Sequence, residues 1–297
     1  MSDLIYRQIN SFLLNTMEIK KVFNYIWILS STLLLLACGQ RSAAGSAQIS
    51  NSQNNNTIVL PYDSTTRTIH VLVALCDNTY QGIVPVPKAI GNGQDPANNL
   101  YWGCEYGIKT YFNRSKDWKL VKKYKAKGAI LERLVYKRKS ENYFLVADAY
   151  DGKEIKLCTV DFLRGLHGQL KDTLQVDNKI IGIAGNAKLN AYIGHDGLMD
   201  FQLGERFKNT DRQKRNAIIL ACYSKKYFAP HIDKETVNPI LWTSHLMCPE
   251  AYSLHDALTG YINGESNEQI QERAAKAYSK YQKCSLRAAK NLLITNW

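Results

Sequence analysis

The feature that most constrains the fold of this chain is a series of short apolar runs that lack polar alternation and are separated by helical patterns. The first run, residues 68–76 (TIHVLVALC), is almost entirely β-branched or apolar, as is typical of a strand buried on both faces. Similar runs lie at residues 129–138, 142–149, 189–194, 217–221 and 239–246. Helical patterns lie at residues 95–112, 154–166 and 267–293, and we expect a further helix through 203–215. This alternation predicts an α/β protein, a three-layer α/β/α sandwich with a mostly parallel central sheet.

Three helix starts are predicted from capping patterns. Asp95 precedes a proline, which combines an N-cap residue with Pro at the first helical position. Ser253 and Ser266 are each followed three residues later by an acid or an amide, as in a capping box. We therefore expect helices to begin directly after these three residues.

The first 56 residues differ in character from the rest of the chain. Met17 is followed by two lysines and then by an uncharged run that ends in Leu-Leu-Ala-Cys38-Gly39. A basic start followed by a short apolar run is typical of a secretory signal, and its end resembles a bacterial lipobox, in which the cysteine is acylated. The alternative is a cysteine inside a core helix. We predict a signal peptide at residues 1–37 with its true start at Met17, a lipid on Cys38, a flexible tether at 38–56 and one domain at 57–297.

The resemblance to a lipobox also implies a location. Gly39 replaces the aspartate that is usually linked to retention in the inner membrane. We therefore expect a lipid-anchored protein of the bacterial envelope, on the outer membrane and facing the periplasm.

Positive charge is concentrated in one segment. The chain has 38 Lys and Arg against 26 Asp and Glu, a formal net charge of +12. Residues 109–139 contain twelve of these cations and only Asp117 and Glu132 as acids. In a lipid-anchored protein, such a segment is suited to anionic headgroups. Nucleic acid is the competing partner, although export argues against it, and a solvated hairpin without a partner is the further alternative.

Cys222 and His195 each follow a predicted buried strand. The carboxyl ends of neighbouring parallel strands meet at one edge of a sheet, where α/β proteins bind ligands. The two residues would therefore converge although 26 residues separate them. A histidine beside a cysteine can take the thiol proton and later protonate a leaving group. The pattern predicts nucleophilic catalysis; a buried core cysteine and a hydrogen-bonded histidine are the alternatives.

An apolar strand followed by Gly-His-x-Gly, and the next strand followed by Ala-Cys-Tyr-Ser, resemble the caspase, metacaspase, legumain and gingipain group of cysteine peptidases. The resemblance implies that Cys222 is the nucleophile and His195 the general base and acid. It also implies that the backbone N–H groups of Gly197 and Cys222 bind the oxyanion. The chain departs from the family pattern at Asp196, which separates the histidine from the glycine. His167, which does precede a glycine, is the alternative histidine.

The same resemblance suggests a substrate pocket. In this group, the pocket is lined by groups that follow the first strand and the cysteine strand, which here are Asp77, Tyr223 and Ser224. A carboxylate on the pocket floor would favour a Lys or Arg side chain in the substrate. The alternative is that Asp77 caps the following turn.

The leading function is thus cysteine-dependent hydrolysis of a peptide or amide bond. The alternative is a catalytically inactive lipoprotein that binds an envelope or peptide partner through the same cleft or the basic segment. His245 ends the next predicted strand and either lines this cleft or packs in a loop. No Cys or His spacing fits a zinc site, so we expect neither a metal nor a cofactor.

Overall fold

The structure, a computed structural model, describes residues 61–125 and 127–297. These residues belong to one compact unit that spans positions 58–297. The predicted signal peptide, the lipidated Cys38 and the tether lie outside the described residues.

Eight of the strands in the described part of the chain form one sheet, in the order β10-β9-β8-β7-β1-β4-β3-β2. The strands are β1 (Arg67–Ala74), β2 (Trp118–Tyr124), β3 (Ile130–Arg138), β4 (Tyr143–Tyr150), β5 (Lys171–Val176), β6 (Lys179–Ala184), β7 (Leu189–Ile193), β8 (Arg215–Leu220), β9 (Val237–Thr243) and β10 (Leu293–Ile294). The five central strands, β4, β1, β7, β8 and β9, run parallel. The outer strands β2, β3 and β10 pair antiparallel with their neighbours. The mostly parallel sheet is therefore confirmed.

Helices cover both faces of this sheet. They are α1 (Ile108–Arg114), α2 (Ile155–Leu166), α3 (Ser224–Phe228), α4 (Ala251–Ile262), α5 (Asn267–Gln282) and α6 (Leu286–Leu292). Successive side chains of a strand point to opposite faces. Ile69 and Val71 of β1 accordingly pack in the core with α4 and α5, and Leu72 packs with α2. This arrangement confirms the three-layer sandwich. Within the described ranges, no helix is long and apolar enough to cross a membrane.

The loop after β1 differs from the predicted helix at 95–112. Residues 95–107 form successive turns, and the helix begins only at Ile108. The buried Asn99 explains the difference, because its amide accepts from the Cys76 N–H at 3.0 Å and donates to the Cys76 carbonyl at 2.8 Å. Gly103 also packs closely against the backbone of the preceding turn, since a Cβ at this position would come within 1.9 Å of the Ala97 carbonyl oxygen. These contacts hold the segment to the end of β1 and prevent a regular helix.

Other helix boundaries were predicted with mixed success. The capping box at Ser266 is confirmed. Helix α4 begins at Ala251, three residues before the predicted start at Leu254, and the predicted cap Ser253 is fully buried inside the helix. The predicted helix at 267–293 is divided into α5 and α6, because Lys283 adopts a left-handed conformation with φ of 55°.

Two further segments depart from the sequence-based expectation. Residues 203–214, where a helix was expected, contain no helix and connect β7 to β8 as an irregular segment. The hairpin β5–β6 was not predicted; it forms a separate two-stranded sheet. Its apolar residues Leu174 and Ile181 pack on Val135 and Phe144 of the main sheet. A partner surface that is distant in sequence thus stabilises the hairpin.

A buried ionic cluster also lies within the sheet. The Arg133 guanidinium forms two hydrogen bonds to Asp148, at 2.5 and 2.6 Å, and His70 Nε2 lies 2.9 Å from the same carboxylate. Burial opposes ionisation of Asp148, but Arg133 and His70 hold its pKa down at about 2. The cluster joins β1, β3 and β4 and is separate from the residues predicted to form the site.

Candidate active site

His195 and Cys222 follow adjacent parallel strands at matched positions. The strands β7 and β8 are paired up to Ile193 and Leu220. The Gly194 N–H continues this pairing by donating to the Leu220 carbonyl at 3.2 Å. His195 and Cys222 each lie two positions beyond the last pair. Both residues therefore follow the carboxyl ends of adjacent strands, which lie about 4.8 Å apart where they pair.

The backbone turns sharply at Gly194, between β7 and His195. Its φ is 146°, a conformation that L side chains rarely adopt. A Cβ there would approach the Ala74 carbonyl oxygen to 3.3 Å and the Tyr101 ring to 3.5 Å. The glycine therefore allows the backbone to turn out of β7 close to the Tyr101 ring, and this turn determines where His195 lies.

The imidazole of His195 is paired with an acid. Its Nε2 lies 2.7 Å from Oδ2 of Asp200, and the same oxygen accepts from the Gly82 N–H at 2.8 Å. The hydroxyl of Tyr192 donates to the His195 carbonyl at 2.8 Å. His195 is 7% exposed. With a proton on Nε2 for Asp200, Nδ1 of the neutral ring is the free acceptor.

The Cys222 thiol contacts the loop after β9. It donates to the Met247 carbonyl at 3.5 Å and accepts from the Met247 N–H at 3.4 Å. Burial raises its pKa, the contact with Met247 lowers it, and the nearby carboxylate of Asp196 raises it further. The thiol form is thus favoured in this conformation. None of the six cysteines in the described residues forms a disulfide bond.

Asp196, directly after the histidine, is fully buried. Its Oδ1 accepts from the Leu198 N–H at 3.0 Å, whereas its Oδ2 has no hydrogen-bond partner among the described residues. Burial raises its pKa to about 8, with a further contribution from the charge of Asp200, although the Leu198 N–H acts in the opposite direction. Asp196 is therefore mostly neutral at pH 7.

Two of the predicted site residues, Gly197 and Ser224, are closely packed by neighbouring residues. Gly197 begins a short 3-10 turn, and a Cβ there would come within 2.7 Å of the Phe201 ring. Ser224 is fully buried, and its hydroxyl donates to the Ile219 carbonyl at 2.8 Å and contacts the Thr243 hydroxyl at 3.1 Å. The burial of Ser224 corrects the expectation that it lines a pocket, whereas the oxyanion role of the Gly197 N–H stays a prediction.

The other two predicted pocket residues differ from each other. Asp77 is 2% exposed; its Oδ1 accepts from the N–H groups of Thr79 and Tyr80, and its Oδ2 accepts from Gln94. This favours the alternative in which Asp77 caps the following turn. Tyr223, by contrast, is partly exposed directly after Cys222, in a left-handed conformation with φ of 51°.

The two other candidate histidines, His167 and His245, lie at opposite edges of the sheet. His167 is fully buried at the end of α2, where Nε2 accepts from the Asp233 N–H at 3.1 Å, near the amino end of β9. It therefore lies at the edge opposite Cys222, which excludes it as the partner of the thiol. His245 is exposed after β9, and its ring centroid is 5.9 Å from that of Tyr223. His245 is thus a second histidine at the carboxyl edge.

Sequence reasoning did not identify Asp200, Tyr101 or Met247. An acid five residues after a strand-end histidine is a usable signal for Asp200, because such a short loop can return to the ring. Nothing local marks Tyr101 or Met247, which reach the site from other loops. Among the described residues, no group of three or more His, Cys, Asp or Glu side chains could hold a metal ion.

Comparisons of the chain with protein-family models, with curated proteins and with solved structures found no match. Function must therefore be argued from the geometry of this edge and from the two motifs that form it.

Proposed function

We propose that this protein is a cysteine-dependent hydrolase of peptide or amide bonds, with Cys222 as nucleophile and His195 as general base and acid. The observation that supports the proposal is the parallel pairing of β7 and β8, since His195 and Cys222 each lie two residues beyond the last pair of these adjacent strands. Asp200 adds a group that orients the imidazole. A nucleophile, a base and a residue that positions the base are the parts required by this chemistry.

The reaction would proceed through an acyl-enzyme. Nδ1 of His195 takes the thiol proton, and the thiolate of Cys222 attacks the substrate carbonyl carbon. The C–N bond breaks, and the imidazolium returns the proton to the leaving amine. Water then hydrolyses the thioester with His195 again as base. Asp200 stabilises the imidazolium through the bond to Nε2, as the acid of a catalytic triad does.

The first step requires the thiol to leave its present partner. Cys222 now exchanges hydrogen bonds with the backbone of Met247. Rotation of the Cys222 side chain toward His195 must therefore precede attack.

A binding protein without catalytic activity is the second candidate. The observation that favours it is the state of the thiol, which is held by Met247 and whose pKa is raised by burial. In that case, the same edge would bind a peptide without cleaving it, and His195 and Asp200 would serve as a structural pair.

Alkylation distinguishes the two functions. In the enzyme, iodoacetamide should modify Cys222 faster than the other described cysteines, and His195→Ala should slow this reaction, because the histidine assists formation of the thiolate. Mass spectrometry of the modified peptides measures both rates. A Cys222 that reacts no faster than the buried Cys158, with or without His195, would favour the binding protein.

We also propose that the protein is a lipoprotein of the bacterial envelope, attached through Cys38 to the outer membrane and facing the periplasm. The support comes from the sequence around Cys38, which lies outside the described residues. Cys38→Ala should move the protein from membranes washed at high salt to the soluble periplasmic fraction, since the acyl chains are then absent and salt screens the attraction of surface lysines to the membrane. Fractionation with immunoblotting measures this, and full retention on membranes would contradict the proposed anchor.

A further inference from the structure

We propose that the protein lies on an anionic phospholipid surface through Lys119 and Lys137, with the Cys222 site directed away from the membrane. The surface formed by these two lysines and their neighbours Lys116 and Lys139 is called the amino-edge basic patch. The inference builds on the proposed lipid anchor and does not depend on hydrolytic activity.

Strand pairing places this patch at a defined edge of the sheet. Lys119 of β2 pairs with Lys137 of β3, and Lys137 pairs with Phe144 near the start of β4. Tyr143 in turn pairs with Arg67, the first residue of β1. The patch therefore lies at the amino ends of the parallel strands, whereas Cys222 follows the carboxyl end of β8. Eight residues of β1 separate the two edges, about 26 Å at 3.3 Å per residue.

The charges of the patch are not compensated within the described residues. Both lysines are exposed. The two acids of the basic segment have other partners: Asp117 pairs with Arg138 at 3.4 Å, and Glu132 pairs with Lys109 and Lys123. Like charges directly opposite each other on paired strands are destabilising. An external anion would relieve this repulsion.

The position of the tether selects a membrane as the source of that anion. Residues 61–66 lead into β1 at the same edge, where the Asn142 side chain donates to the Thr65 carbonyl. Only 28 residues separate Cys38 from Arg67, the first residue of β1. With the proposed lipid on Cys38, the chain from the anchor enters the fold at this amino edge, where each lysine would add to the attraction of anionic headgroups.

The test uses residues 58–297, the compact unit with its own core, without a lipid. Sedimentation should show binding to vesicles that contain phosphatidylglycerol and little binding to phosphatidylcholine alone. The double variant Lys119→Gln/Lys137→Gln should weaken binding by about 30-fold, since one lysine near the surface contributes roughly a five-fold change.

The matched control is Lys125→Gln/Lys127→Gln, which removes the same charge from the other end of the same hairpin. Its loss should be less than about five-fold, because these lysines lie at the carboxyl edge. Equal losses in the two double variants would overturn the orientation. Equal binding to neutral vesicles, or tighter binding to a short DNA duplex than to anionic vesicles, would overturn the membrane partner. Thermal unfolding verifies that both variants are folded.

Discussion

Replacing His195 with alanine should lower the kcat/KM of peptide hydrolysis by about 10²–10⁴-fold, the contribution typical of a general acid–base residue. Cys222→Ala should reduce the rate at least as much, because no acyl-enzyme can form. The double variant should lose no more than the more impaired single variant, since the two residues act as one unit. The measurement is the hydrolysis of a panel of fluorogenic peptides by the wild type and the three variants.

Two further variants define the roles around His195. His245→Ala is the matched control, because His245 is exposed at the same edge and pairs with no acid in the part of the chain that the structure describes, unlike His195 with Asp200. Asp200→Asn retains the size of the side chain and removes its charge, so we expect a loss in kcat rather than in KM. If His245→Ala abolished hydrolysis and His195→Ala did not, the assignment of the base would be wrong.

Replacing Asp196 with asparagine should stabilise the protein, and the gain should increase as the pH rises from 4 to 8. The unfolded carboxyl releases its proton near pH 4, whereas burial raises the folded pKa to about 8. Between these values, the folded protein holds one more proton than the unfolded chain, so its stability falls with rising pH. The free energy of unfolding falls by about 1.4 kcal/mol for each pH unit, or by on the order of 4 to 5 kcal/mol between pH 4 and pH 8. Asparagine cannot ionise and removes this slope.

Urea unfolding of wild type and Asp196→Asn at several pH values measures this effect. Asparagine can still accept from the Leu198 N–H, so the local turn is retained. A difference in the free energy of unfolding that stays constant between pH 4 and pH 8 would contradict the raised pKa of Asp196.

The same variant has a second readout at the thiol. The negative charge of ionised Asp196 raises the pKa of Cys222. Above pH 8, alkylation of Cys222 should therefore be faster in Asp196→Asn than in the wild type, because a larger fraction of the thiol is ionised. Unchanged alkylation would show that the two groups do not interact. A faster reaction would show that the buried carboxyl of Asp196 lowers the reactivity of the thiol. Together with the unfolding measurements, it would show that the same carboxyl also lowers the stability of the fold.

The sequence by itself determined the layers of the fold and the edge at which the site lies. Runs such as residues 68–76 lack polar alternation because both faces of the central sheet are covered, and this is a local property of the chain. His195 and Cys222 end two such runs, so their common edge follows from the parallel pairing of β7 and β8.

Only the tertiary structure decided how the side chains at that edge are used. Asp200 pairs with His195, Met247 holds the Cys222 thiol, and the hydroxyl of Ser224 ties β8 to β9. The turns at residues 95–107 replace a helix because Asn99 bonds the backbone of Cys76. Hydrophobic periodicity reports which face of a segment is buried, whereas these hydrogen bonds depend on which loops meet in space, and that is set by packing between residues far apart in the chain.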